Sequence, residues 1–162
     1  MNVHWATQPS ANLEPKIGES GFASVPPKTI VEEFQAIVKK HGTRNALAAK
    51  VKINGVLSDS WTFWTYQQYW TECVKFAKSL IHLKVERHST INILGFNAPE
   101  WFFANNGAIL AGCIGAGIYV SNTPEACLYV SEHSKAQVVV LEGNNQLKKY
   151  SSFKLDALPD LK

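Results

Sequence analysis

Several things are missing from this chain, and each absence removes a class of function. Cys73, Cys113 and Cys127 leave an odd cysteine count and no CxxC pair. With all three in apolar helical context, that fits reduced, buried thiols in a cytosolic protein better than a disulfide framework or a zinc site. No sign of charge dominates. The formal net charge is +3, the basic residues are scattered, and the pairs Lys39-Lys40 and Lys148-Lys149 suit solvated helix ends, so nucleic acid is not expected as a partner. The longest apolar run, Ala108 to Val120, is interrupted by glycine and falls short of the about 20 residues that span a bilayer. No basic amphipathic helix offers a membrane-surface anchor. The start, MNVHWATQPSANLEPK, has no basic head followed by an apolar run, so no secretory signal is expected and residues 1–28 read as a mobile tail. No internal repeat or low-complexity segment appears.

What is present reads as a folded body over 29–162. With 162 residues and 46% apolar content, the chain can bury one core as a single domain or part of one. Thr29 and Glu32 form a capping-box pattern ahead of an apolar stripe at Ile30, Val31, Phe34, Ile37 and Val38, which Gly42 closes. Leu47 to Ile53 and Val56 to Phe63 flank Asn54-Gly55, the signal of a two-residue hairpin turn. Thr65 and Gln68 repeat the capping box and open a helix to about Leu83, with Tyr69, Trp70, Cys73, Phe76, Ala77 and Leu80 on its apolar side.

The central stretch Gly95 to Cys127 is the most informative. A strand at Thr90 to Phe96 turns directly into a helix through Asn97 as a capping side chain, Pro99, and Glu100 at the positive end of the dipole. From Glu100 to Cys113 only Asn105 and Asn106 are clearly polar, so this helix belongs against a sheet, and Gly107, Ala108, Ala111 and Gly112 permit close approach of a neighbour. Gly115 and Gly117 release the chain into a strand at Ile118 to Val120. Thr123, Pro124 and Glu125 start the next helix, to about Ser134, followed by a strand at Val138 to Leu141 and a helix after Gly143. The alternation predicts an α/β fold: a doubly wound, mostly parallel sheet with flanking helices and one N-terminal β-hairpin.

Residue-level chemistry is thin. The glycine cluster Gly112 to Gly117 holds no lysine or hydroxyl residue and fits neither the dinucleotide fingerprint nor the P-loop, so packing is its expected role. Gly143 to Asn145 reads as a plain turn into a helix, although its free N–H groups could face an anion. His41, His82, His88 and His133 lack metal-ligand spacing, and three sit near helix ends. The aromatic group Trp61, Phe63, Trp64, Tyr66, Tyr69 and Trp70 has core spacing. Glu100 and Glu125 are first-turn carboxylates without an acid–base partner. No catalytic, cofactor-binding or metal-binding residue is assigned.

GFNAPEWF and GIYVSNTPEAC, with TIVEEFQAIVKKHGTRNAL, WTFWTYQQYWTECVKFAKSLI and AQVVVLEGNNQLKK, resemble the bubblegum-type long-chain acyl-CoA synthetases of the adenylate-forming superfamily. The resemblance covers nearly everything beyond the first 28 residues and before the last dozen. It implies part of the large N-terminal, AMP-binding domain of a fatty acid–CoA ligase. Such an enzyme uses ATP, magnesium, CoA and a long-chain fatty acid, is cytoplasmic, and can be peripheral to membranes. The family's Ser/Thr/Gly-rich phosphate loop with its lysine, its Tyr/Thr/Glu motif, its ribose-holding Asp and its C-terminal lysine are not found in this sequence. The chain alone is therefore expected to be inactive and to bind none of these cofactors. The alternative is a non-catalytic interaction or regulatory protein derived from such an enzyme, meeting a protein partner through exposed apolar surface; a weaker third idea is a fatty-acid-binding module.

Overall fold

The capping chemistry read from the sequence sets the frame of the computed structural model, which describes residues 6–153 and 155–162. Helix α1 (Ile30–His41) and helix α2 (Tyr66–His82) each begin with a complete capping box: Thr29 and Thr65 accept from the third backbone N–H, and Glu32 and Gln68 reach back to the cap. Each closes two otherwise unpaired donors. Gly42 ends α1 in right-handed, not left-handed, conformation. A Cβ there would sit 2.7 Å from the Val38 carbonyl oxygen, so close approach is what requires glycine. The part of the expected tail that is described, residues 6–28, carries one 3-10 turn at Gly21–Ser24 and no buried residue; residues 1–5 lie outside the described residues.

The hairpin between these helices is split. Asn54 and Gly55, at φ 52° and 83°, make the expected positive-φ turn between β2 (Lys52–Ile53) and β3 (Val56–Leu57). Its outer halves form a separate antiparallel ladder, β1 (Asn45–Ala49) with β4 (Thr62–Thr65), in which Ala49 faces Thr62 and Leu47 faces Trp64. The continuous strands expected at Leu47 to Ile53 and Val56 to Phe63 are thus interrupted where Ser58 N–H donates to the Val51 carbonyl and the Ser58–Trp61 segment turns aside.

Beyond α2 the chain alternates β5 (Thr90–Leu94), α3 (Pro99–Leu110), β6 (Ile114–Ile118), α4 (Pro124–His133), β7 (Ala136–Leu141) and α5 (Asn144–Ser151). The three strands form a parallel sheet in the order β6-β5-β7. Consecutive crossovers leave in opposite directions, so right-handed connections put α3 and α4 on opposite faces, which is the doubly wound arrangement expected. Every residue of the central strand is buried, and alternate residues serve the two faces. Ile91 packs with Leu80 of α2 and Ala108 of α3, whereas Leu94 packs with Ile118 and Cys127 of α4.

Two local expectations change. Asn97 does not cap α3; Ala98 holds the cap position without a side-chain bond, and Pro99 follows at the first helical residue. Strand β6 is Ile114–Ile118, not Ile118 to Val120. The glycines expected to release the chain into the strand are inside it, because the neighbouring helix uses their space. A Cβ at Gly115 would collide with the Asn105 side chain, and one at Gly117 would lie 3.2 Å from Trp101. Likewise Gly107 lets α3 settle on α2, since its Cβ would come within 2.8 Å of both the Cys73 carbonyl oxygen and the Phe76 ring.

Candidate functional site

In an open α/β sheet the chain turns away in opposite directions beside the strand where the order reverses, leaving a crevice beyond the carboxyl ends of the strands. Here that place lies beyond β5 and β7. A cavity of about 620 Å³ opens there, walled by the ends of those two strands, the Gly95–Trp101 turn into α3, and the Ala49–Lys52 segment of the hairpin. A second, of about 370 Å³, shares Gly95, Phe96, Asn97 and Trp101 and extends along the end of β6 to Tyr119 and Val120.

Glu142 organises the shared rim. Its carboxylate accepts from the Phe96 backbone N–H at 3.0 Å and from Gln146 Nε2 at 3.1 Å, and its own N–H donates to the Leu94 carbonyl at 3.1 Å. The turn that opens α3 is thereby tied to the turn that opens α5. Phe96, Trp101 and Tyr119 supply aromatic faces, while Lys50, Lys52 and Glu100 supply charge. Among the described residues, no hydrogen bond joins a side chain of this rim to an activating partner for nucleophilic or acid–base chemistry.

Another positioning residue escaped the sequence reading. Lys149 does not stand on a solvated helix end; its Nζ donates to the carbonyls of Val120 at 2.6 Å and Asn122 at 2.7 Å, clamping the turn after β6. Its neighbour Lys148 is exposed as expected. The signal available in sequence was only the spacing of two lysines on a short helix, which fits either role.

The other singled-out residues scatter. Gly143, extended at φ 177°, precedes α5 without a side-chain cap, and the adjoining Glu142 carboxylate already occupies that corner. His41, His82 and His133 lie in the last turns of α1, α2 and α4, and His88 in the loop before β5. No group of metal-ligating side chains converges among the described residues. Glu100 and Glu125 stand in first turns, and hydrogen bonding to its own backbone and to Thr123 holds the Glu125 carboxyl below its usual value.

The cysteines are free and buried, though Cys113 lies in the turn after α3, not in a helix. Burial pushes the Cys73 thiol up to about 12 and raises Cys113 and Cys127 as well, so none is poised as a thiolate. Burial likewise lifts the Tyr69 phenol to about 12, with Cys73 adding to the rise and the bond from Asn106 opposing it. Of the aromatic group, Tyr69 and Trp70 pack on Phe34 at 4.8 and 5.2 Å, and Trp64 and Tyr69 on Phe103 at 6.1 and 5.7 Å. Trp61 and Phe63, expected in the core, are exposed instead, because they stand on the outer side of the β1–β4 ladder.

Comparison with known proteins agrees with this architecture. The long-chain-fatty-acid–CoA ligase ACSBG2 of Gallus gallus is 42% identical over 158 residues, which is 98% of this chain and 20% of that protein. The Xenopus laevis ACSBG2 ligase is 40% identical over the same share of each. This chain therefore spans about a fifth of the length of these curated relatives. The N-terminal domain of FACL13 from Mycobacterium tuberculosis superposes with a TM-score of 0.68 at 17% identity, over 84% of this chain and 32% of that one, a likeness of fold. The family model described as AMP-binding enzyme matches residues 34–161, and this chain belongs to that family.

Proposed function

We propose that the chain is the opening part of the large domain of a bubblegum-type long-chain fatty acid–CoA ligase. That enzyme joins a fatty acid to AMP from ATP, releasing pyrophosphate, and then passes the acyl group to CoA. The observation carrying this reading is the 42% identity to a ligase of that name, sustained over 158 residues. The role given to this chain is that of scaffold, with the crevice beyond β5 and β7 contributing a wall for an apolar ligand.

These residues alone are not expected to catalyse the reaction. A polyphosphate needs converging backbone N–H groups and a lysine, and the glycine-rich strand β6 with the nearby Lys149 does not offer them. Asn105 and Trp101 fill the space over Gly115 and Gly117, and Lys149 is engaged by two carbonyls. ATP, magnesium and CoA are thus assigned to the longer protein. We also propose that this protein is cytoplasmic and can be peripheral to membranes. No helix among the described residues is long and apolar enough to cross one.

The test is immunodepletion of a native extract with antibody against residues 29–50, followed by assay of long-chain acyl-CoA formation. Loss of activity together with a polypeptide several times heavier than 18.0 kDa supports the ligase reading; undiminished activity sinks it. Fatty-acid-dependent ATP–pyrophosphate exchange by the 162-residue chain alone would show that the assignment of catalysis elsewhere is wrong.

The sheet order favours one alternative. Strands β6 and β7 each pair on one side only among the described strands, which leaves two edges for a protein partner. A chain that stays monomeric, binds no hydrophobic dye and captures no synthetase removes that alternative.

A further inference from the structure

The segment that ends β7 and forms α5 is tied to both turns that wall the crevice. Glu142 accepts from the Phe96 N–H at 3.0 Å and so holds the turn into α3, and Gln146 Nε2 fixes that carboxylate at 3.1 Å. Three residues on, on the same side of the helix, Lys149 Nζ donates to the Val120 carbonyl at 2.6 Å and the Asn122 carbonyl at 2.7 Å. Gly95, Phe96 and Trp101 share one cavity, of about 370 Å³, with Tyr119 and Val120. Its two walls are therefore pinned from one short stretch of chain.

The turn after β6 needs this help. Its own bond, from the Asn122 N–H to the Tyr119 carbonyl at 3.0 Å, closes the loop, while the Val120 and Asn122 carbonyls are met by the ammonium. Backbone carbonyls call for donors, and a charged donor makes a shorter and stronger bond than a neutral one. The lysine itself stands on a fixed base. Tyr150, beside it, bonds Ser131 of α4 at 2.8 Å and packs with Val120 on the cluster of Leu94, Ile118 and Cys127. Val120 is thus held by its side chain from the core and by its carbonyl from α5. All these contacts lie within the chain, so they stand whatever a longer protein lays over the crevice.

We propose that Lys149 is a positioning residue for the crevice: by pinning the turn at 119–122 against the turn that Glu142 holds, it sets the gap in which a substrate of the longer enzyme lies. It touches no ligand and acts through Tyr119 and Val120. The kinetic consequence rests on the ligase reading; the clamp on the turn does not.

The experiment compares the longer ligase that carries this segment with its Lys149→Ala, Lys149→Met and Lys149→Arg variants, by hydrogen exchange and by kinetics with palmitate, ATP and CoA varied in turn. In Lys149→Ala the amides of 119–127 should exchange at least about tenfold faster, from the loss of two bonds to a charged donor, with the β5 amides unchanged. At least one of the three KM values should rise about fivefold or more while kcat stays within about twofold. Lys149→Met keeps the stem without a donor and should match Lys149→Ala, whereas Lys149→Arg should keep most of the parent's behaviour. Propylammonium, the fragment that Lys149→Ala removes, should restore both readouts in Lys149→Ala and neither in Lys149→Met. Unchanged exchange over 119–127 overturns the proposal, as does faster exchange with all three KM values unaltered, a loss of kcat alone, or a Lys149→Met variant equal to the parent. A parent enzyme that forms no acyl-CoA overturns the ligase reading instead, and the exchange readout still decides whether Lys149 holds the turn.

Discussion

The two faces of the parallel sheet are built on different principles. Under α2 and α3 the contact is apolar and close: Leu80, Ile91 and Ala108 are almost wholly buried, and Gly107 brings the helices together with no side chain between them. Under α4 and α5 polar groups are enclosed. Buried Asn92 shares hydrogen bonds with Ser134, and buried Ser131 pairs with the Tyr150 hydroxyl at 2.8 Å. One face gains its fit from shape, where any added volume is felt; the other depends on completed pairs, where volume matters less than leaving a partner unsatisfied.

Substitutions can break this contrast. Leu80→Ala should have the largest effect, about 3 kcal/mol lost in urea unfolding, because it removes a side chain from the close-packed face and leaves a cavity. Gly107→Ala comes next, at about 2 kcal/mol, since its new methyl meets the Cys73 backbone and Phe76, which cannot withdraw without parting the helices. A loss near zero there would show that the first face is looser than its distances indicate.

On the second face Ser131→Ala should cost about 1–2 kcal/mol by stranding the Tyr150 hydroxyl, and adding Tyr150→Phe should recover part of it, a coupling that a double-mutant cycle reads directly. If the two losses simply add, the pair is not a unit. Thr65→Ala, outside both faces, should cost about 1 kcal/mol through its capping box and serves as a reference for a local effect.

The smallest effect expected at neutral pH is that of ionisation on the first face, since Cys73 is neutral there in both states. Its folded value, about 12, lies above the unfolded value of 9.0. The contribution is therefore intact below pH 9, and stability is lost as the pH rises from there toward 12, when the unfolded chain gives up its proton first. Alkylation of Cys73 should stay slow at pH 10 and become fast on adding denaturant; ready modification at pH 9 would show that the face admits water.

Much of this fold was legible because its signals are local. Thr29 with Glu32, Thr65 with Gln68, and Thr123 each mark a helix start within four residues, and Asn54-Gly55 marks its turn unaided. The errors came where a distant neighbour decides. Gly115 and Gly117 resemble a linker until Asn105 and Trp101 lie above them. The alternation of Trp61 and Phe63 fits a buried strand equally well on either side, so only the pairing register settles which side faces water. The crevice joins residues from three separate segments, and no spacing along the chain reveals them. Lys149, clamped to carbonyls of a different loop, belongs to the same class.

The sheet order β6-β5-β7 also has a consequence for the newborn chain. Its most deeply buried strand, β5, is the first of the three to be synthesised, while one neighbour waits behind α3 and the other behind α4. At roughly 5–20 residues per second, β5 leaves the ribosome seconds before β7 can reach it. Until β6 follows, TINIL is an unpaired strand, and of the helices that pack on it only α2 has already been made. Survival during synthesis is therefore governed by how early α2 closes over that strand, and its capping box helps it form before the sheet exists.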